Sequence, residues 1–452
     1  MNFAKILYGL KLNEKFLLSL RKVPKVRRTF LSEAYQCQEA WNNRLKNSLL
    51  SKINVDDFYL ELNNKVESNI LVPAIDIDIF TNCVQKHNYV EEIGNLLHKL
   101  RLTTETSNTL DSTHHAVVRY FIDMGEAQSL LSILNDRLNY GIFCDYLCYN
   151  LLMDHFIKKQ DFASAAKTAT FMMLQEEFDN PISNALAIYS CHNYLKNPDT
   201  WIEKDPETLK NEPKEEIKIR VKYLRNPYFD DHFDLWKPSD LVGKTLWWIG
   251  ETMNDVIGRS CQLRGLILYN KYSEAIELLK KWKDEEIQNV VYKETIPLIE
   301  NDAPDMFISG ENSTESQREC QLLITDLQHS DLNNGNMDED ITNLVKKAVD
   351  AHSQEDITNQ VQIYEEWIDV RMKILREQHK EREKQQRLAN IENIKKELEE
   401  KEQLLTFFDN EDKIELQIEQ KLEKEKLLYG EVKVTKQEED YVPPEIKKRQ
   451  NQ

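Results

Sequence analysis

From about residue 55 to residue 290 the apolar positions recur at helical spacing, not at the alternation of strands. The pattern is clearest at 147–173. Tyr149, Leu152, Met153, Phe156 and Ile157 form one stripe of a first helix, and Lys158, Lys159 and Gln160 interrupt it. Asp161 stands where a carboxylate can cap the open N–H groups of a second helix. In that helix Phe162, Ala165, Ala166, Ala169, Met172 and Met173 recur at i, i+3, i+4 and i+7, and the three alanines predict a close helix crossing.

The motif repeats. HNYVEEIGNLL (87–97), GEAQSLLSILN (125–135), QDFASAAKTAT (160–170) and NKYSEAIELLK (270–280) share one helix-opening signature. Their alignment puts Glu92, Leu130, Ala165 and Ala275 in one register at spacings of 38, 35 and 110 residues, the last leaving room for two weaker repeats. A period near 35 indicates stacked helix–turn–helix units, each too small to bury its own apolar face. The expected fold is all-α: an α-solenoid of helical hairpins over 55–298, with a plain helical bundle as the alternative. Around 196–215 prolines and dense charge predict an exposed insertion.

Residues 299–340 are polar and acidic and are expected to be a flexible linker. After Gly335 no Gly or Pro occurs before Gly430. Ile363, Trp367, Val370 and Ile374, and later Leu388, Ile391, Ile394 and Leu398, step by three and four, so 341–430 should be a charged helix, helical hairpin or coiled-coil arm. Glu–Lys and Glu–Arg pairs at i,i+4, each contributing about 0.3 kcal/mol, support its apolar-poor middle. The arm is expected to be dispensable for solenoid folding. Residues 431–452 are expected to be a disordered tail.

Composition narrows the class. With 30% charged residues but only 11 Gly and 12 Pro in 452, long helices fit better than turn-rich sandwiches or barrels. A net charge of −19 argues against a surface coated for generic DNA binding. Seven scattered cysteines read as reduced thiols. No apolar run approaches the roughly 18 residues that span a bilayer. Residues 1–28 hold eight Lys or Arg against one acid, Glu14. Amphipathic and basic, 1–30 predicts a mitochondrial transit peptide, removed near Phe30–Leu31, with 31–54 as an N-terminal extension.

Catalytic and metal constellations are not apparent. GKT at 243–245 resembles the end of a phosphate-binding loop, but Pro238 stands where its first glycine belongs, and LVGKTLWWIGE reads as helix. Cys144 and Cys148, one turn apart, lack a second ligand pair at zinc-finger spacing and read as core thiols. His114, His115 and His155 read as packing residues. No cofactor, metal or enzymatic activity is expected. A local basic set, Arg119, Arg137, Lys158, Lys159 and Lys167, is compatible with RNA; solenoids of this period also bind protein.

The segment YGIFCDYLCYNLLMDHFIKK (140–159) resembles the pentatricopeptide repeat (PPR) family. Gly141, Ile142 and Asp145 match its turn, and Tyr149, Asn150, Leu152 and Met153 its first helix; Cys144 replaces the usual Pro and Gln160 the common Gly. Together with MMLQEEF (172–178) and RRTFLSEAYQCQEAW (27–41), the segment is similar to PPR-type ribosomal proteins of the animal mitochondrial small subunit. The resemblance implies a non-catalytic component of the mitochondrial ribosome, in the matrix, whose partners are small-subunit rRNA and neighbouring ribosomal proteins, with tRNA or mRNA also conceivable. Two other readings stay open: a free PPR-like factor regulating translation, and a tetratricopeptide-like protein-binding solenoid. In base-reading PPR proteins an Asn early in the first helix and the residue closing the repeat face a base edge; Asn150 and Asn180 match them. Neighbouring repeats offer no such pair, so shape and phosphate recognition is expected, with Lys158, Lys159, Arg119 and Arg137 as contacts.

Overall fold

The structure, a computed structural model, describes residues 30–86, 89–198, 201, 235–304, 315–329, 332–406 and 408–429. The expected transit peptide up to Arg28, most of the insertion near 196–215 and the tail 431–452 lie outside these residues. The chain divides into two units, 1–372 and 373–452. The fold is all-α; the one β-type contact among the described residues is an isolated bridge between Tyr292 and Asn333.

In the first unit the helices of eight or more residues are α1 (Val55–Glu67), α2 (Ala74–Cys83), α3 (Val90–Arg101), α4 (Asp111–Asp123), α5 (Ala127–Asn135), α6 (Tyr146–Lys159), α7 (Phe162–Leu174) and α8 (Pro181–Tyr194). They continue with α9 (Pro238–Thr252), α10 (Val256–Leu268), α11 (Tyr272–Asp284), α12 (Thr295–Asp302), α13 (Glu315–Gln328) and α14 (Met337–Leu405). The first helices α2, α4, α6 and α8 pack side by side as one layer, and α5, α7 and α9 pack as the other, which is a solenoid-like stack of hairpins.

Three hairpins turn in the same way. At Gly125, Gln160 and Asn270 the backbone is left-handed, with φ of 80°, 60° and 60°. At each, two backbone N–H groups bond back to the last helical carbonyls, as Gln160 N to Ile157 O and Asp161 N to Phe156 O do, both 3.0 Å. The turn geometry therefore tolerates Gln and Asn where Gly would be least strained. The second helices start at Val90, Ala127, Phe162 and Tyr272, so the first spacing is one residue shorter than the alignment gave. Ile93, fully buried, takes the position assigned to Glu92 beside Leu130, Ala165 and Ala275. In the 110-residue interval the described residues hold α8 and α9, one further pair where two repeats were expected.

Glycines decide the α9–α10 crossing. A Cβ on Gly265 would lie 2.4 Å from Gly243 O, and one on Gly250 would lie 2.6 Å from Gly258 O. Gly243, the glycine of GKT, is thus a helix-contact residue, and Thr245 Oγ1 bonds Leu241 O within α9.

Two expectations are corrected. Within the supposed linker 299–340, Glu315–Gln328 is helix α13, whose Cys320, Ile324 and Leu327 are buried against α11. With the partly buried Leu323 they make a short stripe at helical spacing, and the facing helix supplies the rest of the core. The 31–54 extension and the first part of the arm are integral to the fold. Leu31, Tyr35, Trp41 and Leu50 are buried, and so are Ile341, Val345, Asp356, Gln360, Tyr364 and Arg371 of α14. Val370, expected on the sticky stripe, is 43% exposed. In the second unit α14 continues to Leu405 and α15 spans Glu411–Tyr429; Leu388, Ile391, Ile394 and Leu398 are all exposed there.

Candidate nucleic-acid interface

The first-helix layer is where a base-reading repeat would meet RNA, and in this chain α14 and the 31–41 segment cover it. Arg371 Nε donates to Asp78 Oδ2 of α2 at 2.6 Å, and the other oxygen of Asp78 accepts from Ser112, Thr113 and Asn82. One step along, Tyr364 Oη lies 2.9 Å from His115 Nε2 of α4, and Trp41 and Trp367 close rings around that imidazole at 5.0 and 5.1 Å. Next, Asp356 accepts from Tyr35 Oη (2.7 Å) and from Asn180 Nδ2 (3.0 Å). At the far end Asp338 lies 2.6 Å from both His192 Nε2 of α8 and Lys196 Nζ.

This arrangement engages both residues that match the base-reading positions. Asn150 is fully buried; its Nδ2 donates to Tyr35 Oη at 2.8 Å and its Oδ1 accepts from Ser183 Oγ at 2.8 Å. Asn180 Oδ1 caps α8 by accepting from Ser183 N at 2.9 Å, while its amide faces Asp356. The polar atoms that would meet a base edge meet the protein's own chain. Arg119, the first of the expected phosphate contacts, is 2% exposed, donates to Gln36 O (2.6 Å) and Gln38 Oε1 (2.5 Å) and lies near the Trp41 ring.

The remaining cations separate. Lys158 and Lys159 end α6, and Arg137 stands before its start. A 14-residue helix rises about 20 Å, so they occupy opposite edges of the stack. Lys159 is exposed, whereas Lys158 is pinned 2.5 Å from Asp154 Oδ2, whose other oxygen accepts from Phe30 N. Lys167 lies 5.8 Å from the Trp201 ring centre.

Proximity also links residues that the sequence leaves apart. His115 Nδ1 is 2.7 Å from Asp145 Oδ2 and 3.3 Å from Cys148 Sγ, a set with metal-ligand chemistry. Two donors on one tetrahedral zinc at about 2.0–2.1 Å stand roughly 3.3 Å apart, so the 2.7 Å contact is a hydrogen bond. An Nδ1–H given to Asp145 leaves Nε2 to accept from Tyr364. Asp145 Oδ1 meanwhile caps α6 by accepting from Cys148 N at 2.7 Å. All seven cysteines are buried and unbridged, and burial raises the Cys144 and Cys148 thiols well above their usual range.

Among the described residues no helix is long and apolar enough to cross a membrane. The family profile described as mitochondrial 28S ribosomal protein S27 matches residues 5–397, which includes the hairpins, the covering part of α14 and most of its continuation. The chain belongs to this family. It is therefore a protein of the mitochondrial small ribosomal subunit, located in the mitochondrion as part of the mitoribosome. Membership in a ribosomal protein family implies a structural role and ribosomal partners.

Proposed function

We propose that the chain is a non-catalytic structural component of the small subunit that meets its rRNA through phosphate contacts and shape, without reading bases, and holds neighbouring ribosomal proteins as well. The observation that carries this reading is the occupation of Asn150 and Asn180 by Tyr35, Ser183 and Asp356. A protein whose polar first-helix face is already bonded keeps its edges and exposed helices for partners. On the hairpin-turn edge Lys159 is the leading phosphate contact, with Lys158 beside it once its pairing with Asp154 is exchanged for a phosphate. The exposed apolar residues of 388–398 supply surface for a protein neighbour.

The test is binding of the full chain to a panel of RNAs, including small-subunit rRNA fragments, across salt concentrations. Replacing Lys158 and Lys159 with Ala should weaken binding to all sequences alike and lower the salt slope by about one ion per lost contact. An Asn150→Ser variant that switched the preferred base, with the lysine variant unchanged, would refute the reading. A free RNA-binding factor is distinguished by sedimentation: stable co-migration with the small subunit after a high-salt wash supports the ribosomal role of this chain.

A further inference from the structure

At the edge of the stack opposite Lys159 lies a cavity of about 500 Å³, within the size range of small-ligand sites. Its floor is apolar, from Leu134, Ile142, Tyr149 and Leu174, and Phe143 stands at its rim, 41% exposed. Leu138, also lining it, is 83% exposed, and Leu102 next to Arg101 is 69% exposed. Large apolar side chains left in solvent at one edge mark a contact surface.

The cations of this edge are placed, not scattered. Arg101 Nε donates to Leu138 O at 3.2 Å, and its guanidinium lies across Gly141, where a Cβ would come within 3.3–3.4 Å of Nε and Cζ. Gly141 has φ 63°, so the turn both requires a left-handed residue and leaves room for the arginine. The Nη groups of Arg101 have no hydrogen-bond partner among the described residues. Arg137 shares the lining, and His98 and Lys99 stand on the same last turn of α3, with His98 Nδ1 3.2 Å from Asn139 O. The one acid of the lining, Asp136, is engaged in accepting from Asn139 N and Nδ2.

We propose that this cavity takes an unstacked base of single-stranded RNA, its ring against Phe143 and a flanking phosphate on Arg101. The proposal rests on the RNA-contacting reading above and adds a site remote from the first-helix face. A cluster of cations on a chain of net charge −19 calls for a polyanion. An exposed aromatic ring beside a fixed guanidinium is the arrangement that holds a base by stacking and its backbone by charge.

The full chain is titrated into a single-stranded RNA octamer carrying a central 2-aminopurine, whose emission reports stacking. The bound emission should rise as the base leaves its stacked neighbours, and Phe143→Ala should reduce that rise and weaken binding about tenfold with an unchanged salt slope. Arg101→Gln should lower the slope by about one and keep the rise in emission at saturation. Thermal melts of both variants confirm that the fold is retained, as expected for partly exposed side chains. Quenching on binding, or an identical rise with Phe143→Ala, overturns the proposal, as does Arg101-dependent binding of a labelled acidic apolar peptide that RNA does not displace. Loss of RNA binding in the Lys158/Lys159 variant with a normal Phe143→Ala variant leaves the general RNA reading standing and removes this site; no RNA binding by the native chain removes both.

Discussion

Arg371 and Asp78, 293 positions apart in the chain, form an ion pair of 2.6 Å with side chains 4% and 0% exposed. The pair ties α14 to α2, and Arg371 Nη2 also donates to Ser112 Oγ of α4 at 3.3 Å. Removing one partner leaves a charge inside the protein with nothing to balance it. Arg371→Met should therefore cost about 3–5 kcal/mol in urea unfolding. The double variant Arg371→Met/Asp78→Asn should recover part of that loss, and strictly additive losses would show that the two side chains do not interact.

The covering role of α14 predicts opposite outcomes for two truncations. A chain ending at Met372 keeps every contact of the first unit and should be soluble, helical and cooperative in melting. A chain ending at Asp302 exposes Asp78, His115, Asn150 and the apolar surface under α13, and should aggregate or melt without cooperativity. Limited proteolysis and circular dichroism of the two chains separate these outcomes; equal behaviour would restore the arm to the dispensable part expected from sequence.

Two glycines in helices should respond with opposite sign. An added Cβ at Gly265 meets the α9 backbone at 2.4 Å, and Gly265→Ala should cost about 1–3 kcal/mol or more. At Gly94 in α3 a Cβ would meet nothing within 4 Å, and Gly94→Ala should stabilise by about 0.5–1 kcal/mol through lower backbone entropy in the unfolded chain. Thermal shifts of the same sign would place the α9–α10 contact wrongly.

His192 gives the fold an acid sensitivity. Burial and the neighbouring Arg264 guanidinium push its imidazole from 6.5 down to about 4. Arg264 Nη1 lies 3.1 Å from Nδ1 and donates to it, so Nε2 carries the proton given to Asp338, and a second proton has no place. The unfolded chain protonates first as pH falls, so stability should drop by about 3 kcal/mol between pH 6.5 and 4 from this group alone. Unfolding free energies across that window should fall less steeply in His192→Gln; parallel curves would remove His192 as the cause.

The apolar periodicity of 147–173 placed α6, α7 and their turn, and made Ala165, Ala166 and Ala169 the buried seam, because local spacing and capping act within one hairpin. The same logic slipped by one residue at Glu92, where neighbouring apolar positions left two registers open. It passed over α13, whose apolar stripe of Cys320, Leu323, Ile324 and Leu327 lies within an otherwise polar, acidic stretch. The candidate interface was less legible still. Asn150 and Asn180 carried the right chemistry for a base edge, and nothing near them in the chain indicates that Tyr35 and Asp356 would take their hydrogen bonds.

By itself the sequence determined that the chain is helical, repeated and short of turn-forming residues, and the resemblance of its central repeat pointed toward the ribosome. Only the tertiary structure decided which face stays free. The stripe that docks α14 runs through Asp356, Gln360, Tyr364 and Arg371, polar residues that hydropathy assigns to solvent. For Asp356, Tyr364 and Arg371 burial becomes favourable only when Asn180, His115 and Asp78, more than a hundred residues upstream, supply complementary donors and acceptors. Hydrophobic burial follows local pattern because it is non-directional, whereas a polar interface exists only once both sides have been brought within hydrogen-bonding distance.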